Sequence, residues 1–269
     1  MVRIALQTDK PLLSAGHADA VYLGERFCVK RFMRLFDGFA KYAADCPIPV
    51  NLLTPFYVRE SELDFLVEKT ESSIGVFSGV HVADIGFARR LKGIAEVTYV
   101  GPVYNEHTLE MLIQKAGISR LQLSPPRIHF MGKIVGRLPL ETVVHGQLPL
   151  SSTPRCLVEM RLGSCARCDE VFTVHGQPEN LALRGNVLYS TNPIVAFGLI
   201  DQFAALGFET IVIECMNMGE SEIAEITAIY KGEQKPPNDE VSGAFFIDEN
   251  DMLDGVPWRR RISQMDSIL

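Results

Sequence analysis

Six cysteines occur in the sequence, and three of them fall in one stretch, "RCLVEMRLGSCARCDE", from Arg155 to Glu170. Cys165 and Cys168 form a C-x-x-C, with Cys156 just upstream. Thiolates at such spacing suit a four-cysteine zinc site or an iron–sulfur cluster, and both need a fourth thiolate. Cys28, Cys46 and Cys215 are the candidates. Glu141 and His145, four apart in "ETVVH", form a second group with chemical potential. Residues four apart on a strand share a face. Both are therefore expected to face the fold's interior and to pair as acid and base. The alternative is a polar pair that positions the segment behind it. His175, in the second "VHG", competes with a cysteine as ligand or else marks a turn.

The elements that must position these groups follow from apolar patterning. Strands are expected at Arg3–Gln7, Ala20–Leu23, Val50–Leu53, Ser73–Phe77, Glu96–Val100, Arg120–Leu123, Glu141–His145 and Thr210–Glu214. Helical spacing lies between them, in "RFMRLFDGFAKYAA", "ESELDFLVEKT", "VADIGFARRLK", "EHTLEMLIQKA" and a Pro-started helix from about Pro126, and after them in "ESEIAEITAIYKG". Alternation of this kind argues for parallel strands with helical crossovers. Eight strands predict a (β/α)8 TIM-barrel-like fold, complete or imperfectly closed, with an open doubly wound sheet as the alternative. About sixty residues separate the seventh strand from the eighth, where connections are usually short. The reading is a single α/β domain over residues 1–235 with a cysteine-bearing excursion at about 146–209. Residues 236–269 are expected to pack as a tail on the barrel or a partner.

A formal charge of −7 makes nucleic acid a poor default partner. The best candidate for a local basic patch, "WRRR" at Trp258–Arg261, reads as solvated surface. No apolar run approaches membrane-spanning length, and "MVRIALQTDK" lacks a signal-peptide pattern, so a cytoplasmic location is expected. Disulfides are rare there, which turns clustered cysteines toward metal or redox chemistry. The motifs H-E-x-x-H and G-x-S-x-G are absent.

Cys46 ends a helix, on the face of a barrel opposite its active site, and reads as a structural thiol. Cys28 follows the second strand and Cys215 the eighth, so both lie on the face where barrel active sites are built. A thiol at a strand end is often simply buried, which disfavours Cys215. Cys28 stands among Arg26, Lys30 and Arg31, and nearby positive charge favours thiolate. On the residues alone the two remain rivals.

"ADAVYLGERFCVKR" resembles the opening motif of the UbiV branch of the collagenase-like peptidase family U, number thirty-two. "ETVVHGQLPLSSTPRC" resembles that family's E-x-x-x-H-G stretch leading to an Arg-Cys, "YNEHTLEMLIQKAG" its middle segment, and "GVPWRRR" its C-terminal Trp-Arg-Arg. The resemblance implies a [4Fe–4S] cluster on Cys28, Cys156, Cys165 and Cys168. In that branch the final pair is spaced more widely, and the short C-x-x-C here keeps zinc open. The resemblance further implies a part in oxygen-independent hydroxylation on the ubiquinone pathway. A UbiU-like paralogue is the implied heterodimer partner, with a quinone precursor and prephenate as small molecules. Relatives hydroxylate RNA, and the acidic balance here favours the quinone branch. A peptidase, as the family name says, and a non-catalytic cluster subunit are the other classes.

Overall fold

The computed structural model describes residues 2–13, 15, 17–103, 105–123, 134–153, 155–165, 167–175, 180–236 and 241–242. Seven strands run in parallel and in order: β1 Arg3–Thr8, β2 Ala20–Gly24, β3 Val50–Leu53, β4 Gly79–Val82, β5 Val97–Val100, β6 Arg120–Leu123 and β7 Leu140–Gly146. Between them lie α1 Val29–Asp45, α2 Glu60–Glu71, α3 Ile85–Arg90 and α4 Glu106–Met111, the last continued by a π-helical turn over Leu112–Ala116. An excursion follows, with β8 Pro149–Ser152, α5 Leu157–Leu162, β9 Phe172–Val174, β10 Leu181–Arg184, β11 Val187–Ser190, β12 Ile194–Ala196 and α6 Ile200–Ala205. The chain then returns as β13 Phe208–Glu214 and α7 Glu220–Tyr230. Because β13 pairs in parallel with both β7 and β1, the sheet closes into an eight-stranded barrel. The (β/α)8 expectation holds, and the open doubly wound sheet is excluded.

The local causes are ordinary. In α1, Phe32, Phe36, Phe39 and Ala43 recur at helical spacing and are buried on one face. Side chains of Asp84 and Asn105 cap α3 and α4 by accepting from the backbone N–H groups of Phe87 and Thr108. One expected strand is misplaced. Residues 73–76 form turns, and the strand is Gly79–Val82. The apolar run instead delivers Phe77 to the core, with its ring 6.3 Å from that of Phe36. The true strand carries a buried His81 where an apolar residue would have signalled it.

The barrel interior carries several buried polar side chains. Gln7, Tyr22, His81, Gln122, Glu141 and Glu214 are all buried. They meet across the barrel: Gln122 donates to Gln7 at 3.4 Å, and Tyr22 donates to Glu141 at 2.5 Å and lies 4.1 Å from the His81 ring. Two glycines permit close approach at the strand tops. Gly24 (φ 155°) and Gly146 (φ 109°) would drive a Cβ into the carbonyls of Leu53 and Glu214.

The excursion builds its own antiparallel sheet in the order β8-β11-β10-β9. Ala182, Val187 and Tyr189 from that sheet pack with Met216 and Phe27, so it lies across the barrel mouth. β12 pairs antiparallel with β7, and β14, Val241–Ser242, pairs with β12. The expected helix at Pro126, most of the tail and the basic cluster at 258–261 lie outside the described residues. Among the described residues, no helix is long and apolar enough to cross a membrane.

Candidate functional site

A cavity of about 260 Å³ opens between the C-terminal ends of β1, β2 and β13 and the excursion sheet. Cys28, Cys156, Cys165 and Cys168 all line it. Cys28 immediately precedes α1, and Cys156 precedes α5, where its sulfur accepts from the Glu159 N–H at 3.3 Å. Cys165 and Cys168 close a turn in which the Cys168 N–H reaches the Cys165 carbonyl at 3.4 Å. Asn186 holds the two sides together. Its side-chain amide donates to the carbonyls of Phe27 and Thr153, each at 2.8 Å, beside Cys28 and three residues before Cys156.

The other two cysteines are placed differently. Cys46 is half-buried at the far end of α1, and Cys215 is buried, with its thiol toward the Ile213 carbonyl. Neither lines the cavity. His175 is exposed, bonds to Asn180, and is also absent from the lining. Among the described residues, no three Cys, His, Asp or Glu side chains are gathered closely enough to hold one ion. The donors fit a tetrathiolate centre in type and number. Loading would have to draw them together.

The charges at the mouth are mostly committed to one another. Arg26 pairs with Glu214, which also accepts from Gln7 at 2.6 Å. Arg31 pairs with Glu25, Asp9 and Asp169, and Arg184 pairs with Asp9 and Asp169. Burial would raise the Asp9 carboxyl, but Arg184 and Arg31 outweigh it and hold the pKa below its ordinary value. The expectation that Arg26, Lys30 and Arg31 favour a Cys28 thiolate is therefore corrected. Burial, with the charges of Glu25 and Cys156 added, pushes the Cys28 thiol up. The Arg34 guanidinium lies 3.4 Å from the Cys168 sulfur.

Glu141 and His145 do not meet. Along β7, Val143 pairs with Val212 but His145 with Ile213, so Val144 is an extra residue and the strand bulges. The bulge reverses the alternation between the two. Glu141 stays inside, bonded to Tyr22 and 3.9 Å from both His81 and Arg120. Burial raises its carboxyl pKa to about 7. His145 turns outward, 3.3 Å from the Tyr230 hydroxyl on α7, and burial lowers its pKa to about 4. Neither lines the cysteine cavity. The structure adds Tyr22, His81 and Arg120 around Glu141, and Arg184 and Asp169 beside the cavity, none of which the sequence singled out.

No family model matches the sequence, and no curated protein matches it. Among solved structures, the chain is similar to a U32 peptidase at 17% identity and a TM-score of 0.47, over 80% of this chain and 92% of that one. It is similar to KGPDC from Streptococcus mutans at 7% identity and a TM-score of 0.47, over 86% of this chain and 98% of that one. The barrel itself rests on the strand pairings above.

Proposed function

We propose that Cys28, Cys156, Cys165 and Cys168 hold a [4Fe–4S] cluster. On the sequence resemblance to the UbiV branch, the chain is then an iron–sulfur component of an oxygen-independent, cytoplasmic hydroxylation system acting with a UbiU-like partner. One observation carries the ligand set. Two segments more than a hundred residues apart bring four thiols to one cavity at the barrel mouth, and the two remaining cysteines lie elsewhere. A cluster held there would supply one-electron transfer.

The chain's own residues have local roles around that centre. Asn186 keeps the segments bearing Cys28 and Cys156 at a fixed separation. Arg34 donates to the Cys168 sulfur and ties the cysteine turn to α1. Phe27, Leu53, Val187, Tyr189 and Met216 make one wall apolar and limit water. The acid–base roles expected of Glu141 and His145 need reach into the cavity. Their placement supports supporting roles instead, inside the barrel and at the joint with α7.

The test is to replace each of the six cysteines by Ala and measure iron, zinc and sulfide per chain after anaerobic purification, with visible and electron-paramagnetic spectra. Loss of iron is expected for the four cavity positions, and retention for Cys46→Ala and Cys215→Ala. Zinc without sulfide would replace the cluster by a structural zinc site. Metal kept by Cys28→Ala but lost by Cys215→Ala would overturn the ligand set.

A further inference from the structure

The cysteine turn is joined to the barrel by an ion cluster that no step above requires. Asp169, directly after Cys168, pairs with Arg31 and, at 3.5 Å, with Arg184. Arg31 lies three residues after Cys28, in the first turn of α1. Arg184 ends β10. Both arginines are buried, and both also reach Asp9 beyond the end of β1, at 2.8 and 2.6 Å. One carboxylate therefore ties three places together: the helix that starts at Cys28, the excursion sheet, and the turn that carries Cys165 and Cys168.

The arithmetic of the cluster singles out Asp169. Two guanidinium groups, Arg31 and Arg184, face three carboxylates, Asp9, Glu25 and Asp169. Asp9 and Glu25 are already enough to balance the buried arginines. Asp169 is half-exposed, while the other two carboxylates are largely enclosed. Removing its charge thus leaves no buried cation unpaired, which is the change that unfolds proteins. What it loses is position. Among the described residues, the exposed Lys30–Glu159 pair at 3.5 Å and the Arg34–Cys168 contact also join α1 to the excursion.

We propose that Asp169 is a positioning residue: through Arg31 and Arg184 it latches the Cys165–Cys168 turn onto the barrel and keeps Cys168 at the cavity that Cys28 also lines before any metal binds. The proposal deepens the reading of the four cysteines as one centre and rests on that reading for its purpose, but the latch itself is a property of the metal-free chain. Metal binding to a pre-positioned set costs less ordering than binding to a loose one.

The experiment uses the full-length, reduced, metal-free protein. A short bifunctional thiol reagent is applied, and cross-linked pairs are identified by peptide mapping. Wild type should give a Cys28–Cys168 cross-link. Asp169→Asn should lower its yield about two- to fivefold, as expected when a partly exposed ion pair that biases a local equilibrium is lost. The yield of any link within the turn, between Cys165 and Cys168, should not change, nor should the melting temperature. Asp169→Glu should recover part of the lost yield. Anaerobic reconstitution at limiting iron should then load Asp169→Asn more slowly than wild type. Equal Cys28–Cys168 yields in wild type and Asp169→Asn would overturn the latch, as would a wild type that gives no such link. A latch effect in the cross-linking, with wild type that takes up no metal, would keep the latch and overturn the metal reading alone.

Discussion

Two carboxylates are buried in the same barrel, and they are handled in opposite ways. Glu214 ends β13 at the mouth, where Arg26 pairs with it and Gln7 donates to it. Glu141 lies near the start of β7, toward the opposite end, where Tyr22 donates to it and Arg120 stays 3.9 Å away. At the mouth Glu214 holds Arg26 firmly charged against the effect of burial. Lower down burial prevails, and the Glu141 pKa rises to about 7. The upper layer, at the cysteine cavity, holds its acid in an ion pair; the lower layer, beneath it, holds an acid whose pKa of about 7 leaves both forms populated near neutral pH.

The largest effect should come from breaking the upper pair. Arg26→Met leaves Glu214 buried without its cation, which typically costs about 3–5 kcal/mol. Urea unfolding at pH 7 measures it. Arg26→Met with Glu214→Gln should recover much of that loss, because the stranded charge goes with its partner. A single variant that loses under about 1 kcal/mol would mean that Glu214 is not held as an ion, and the contrast between the layers would fail.

The second effect is a pH dependence at the lower carboxyl. Its folded pKa lies above its unfolded value, so the stabilisation is complete below the unfolded pKa and is lost as pH rises through the folded one. The window runs from about 4.5 to about 7. Glu141→Gln cannot ionise and escapes that loss. Its stability relative to wild type should therefore improve on going from pH 4.5 to 8.5, by about 3 kcal/mol at roughly 1.4 kcal/mol per pKa unit. Parallel unfolding curves across that range check it. A difference that stays flat, or favours wild type at high pH, would place Glu141 in the charged class with Glu214.

Much of the scaffold was legible in the sequence because apolar runs and helical spacing report burial directly. Seven of the eight barrel strands fall where that rhythm puts them. The fourth did not, since Gly79 and His81 hide a strand whose inner face is polar. The cysteines that line the cavity could be gathered from their chain positions relative to strand ends and from the family resemblance. The ion cluster of Arg31, Arg184, Asp9, Glu25 and Asp169 could not, because its members come from separate segments and become neighbours only through the fold. The bulge at Val144 was equally hidden, and one extra residue was enough to separate Glu141 from His145. A usable signal did exist for the polar interior. Gln7, Tyr22, Gln122 and Glu214 are polar-bearing residues inside otherwise apolar strand runs, and such residues mark an inner face that must find partners across the barrel.

The smallest effect concerns Tyr22 and tests the cause of the raised Glu141 pKa. The Tyr22 hydroxyl donates to Glu141 at 2.5 Å, and that bond favours the ionised carboxylate, so it pulls the pKa down against burial. Tyr22→Phe keeps the ring and its packing near His81 but removes the donor. The Glu141 titration should then move above about 7, since burial acts with less opposition. The lost hydrogen bond should also cost about 1 kcal/mol. Carbon-13 NMR of the glutamate carboxyl, followed against pH, reads the midpoint directly, and Glu141→Gln assigns the signal. A midpoint that moves upward ties the raised pKa to burial with the hydroxyl as its counterweight. A midpoint that falls or stays fixed would mean that Tyr22 is not the donor that matters, and Arg120 would become the group that governs the lower carboxyl.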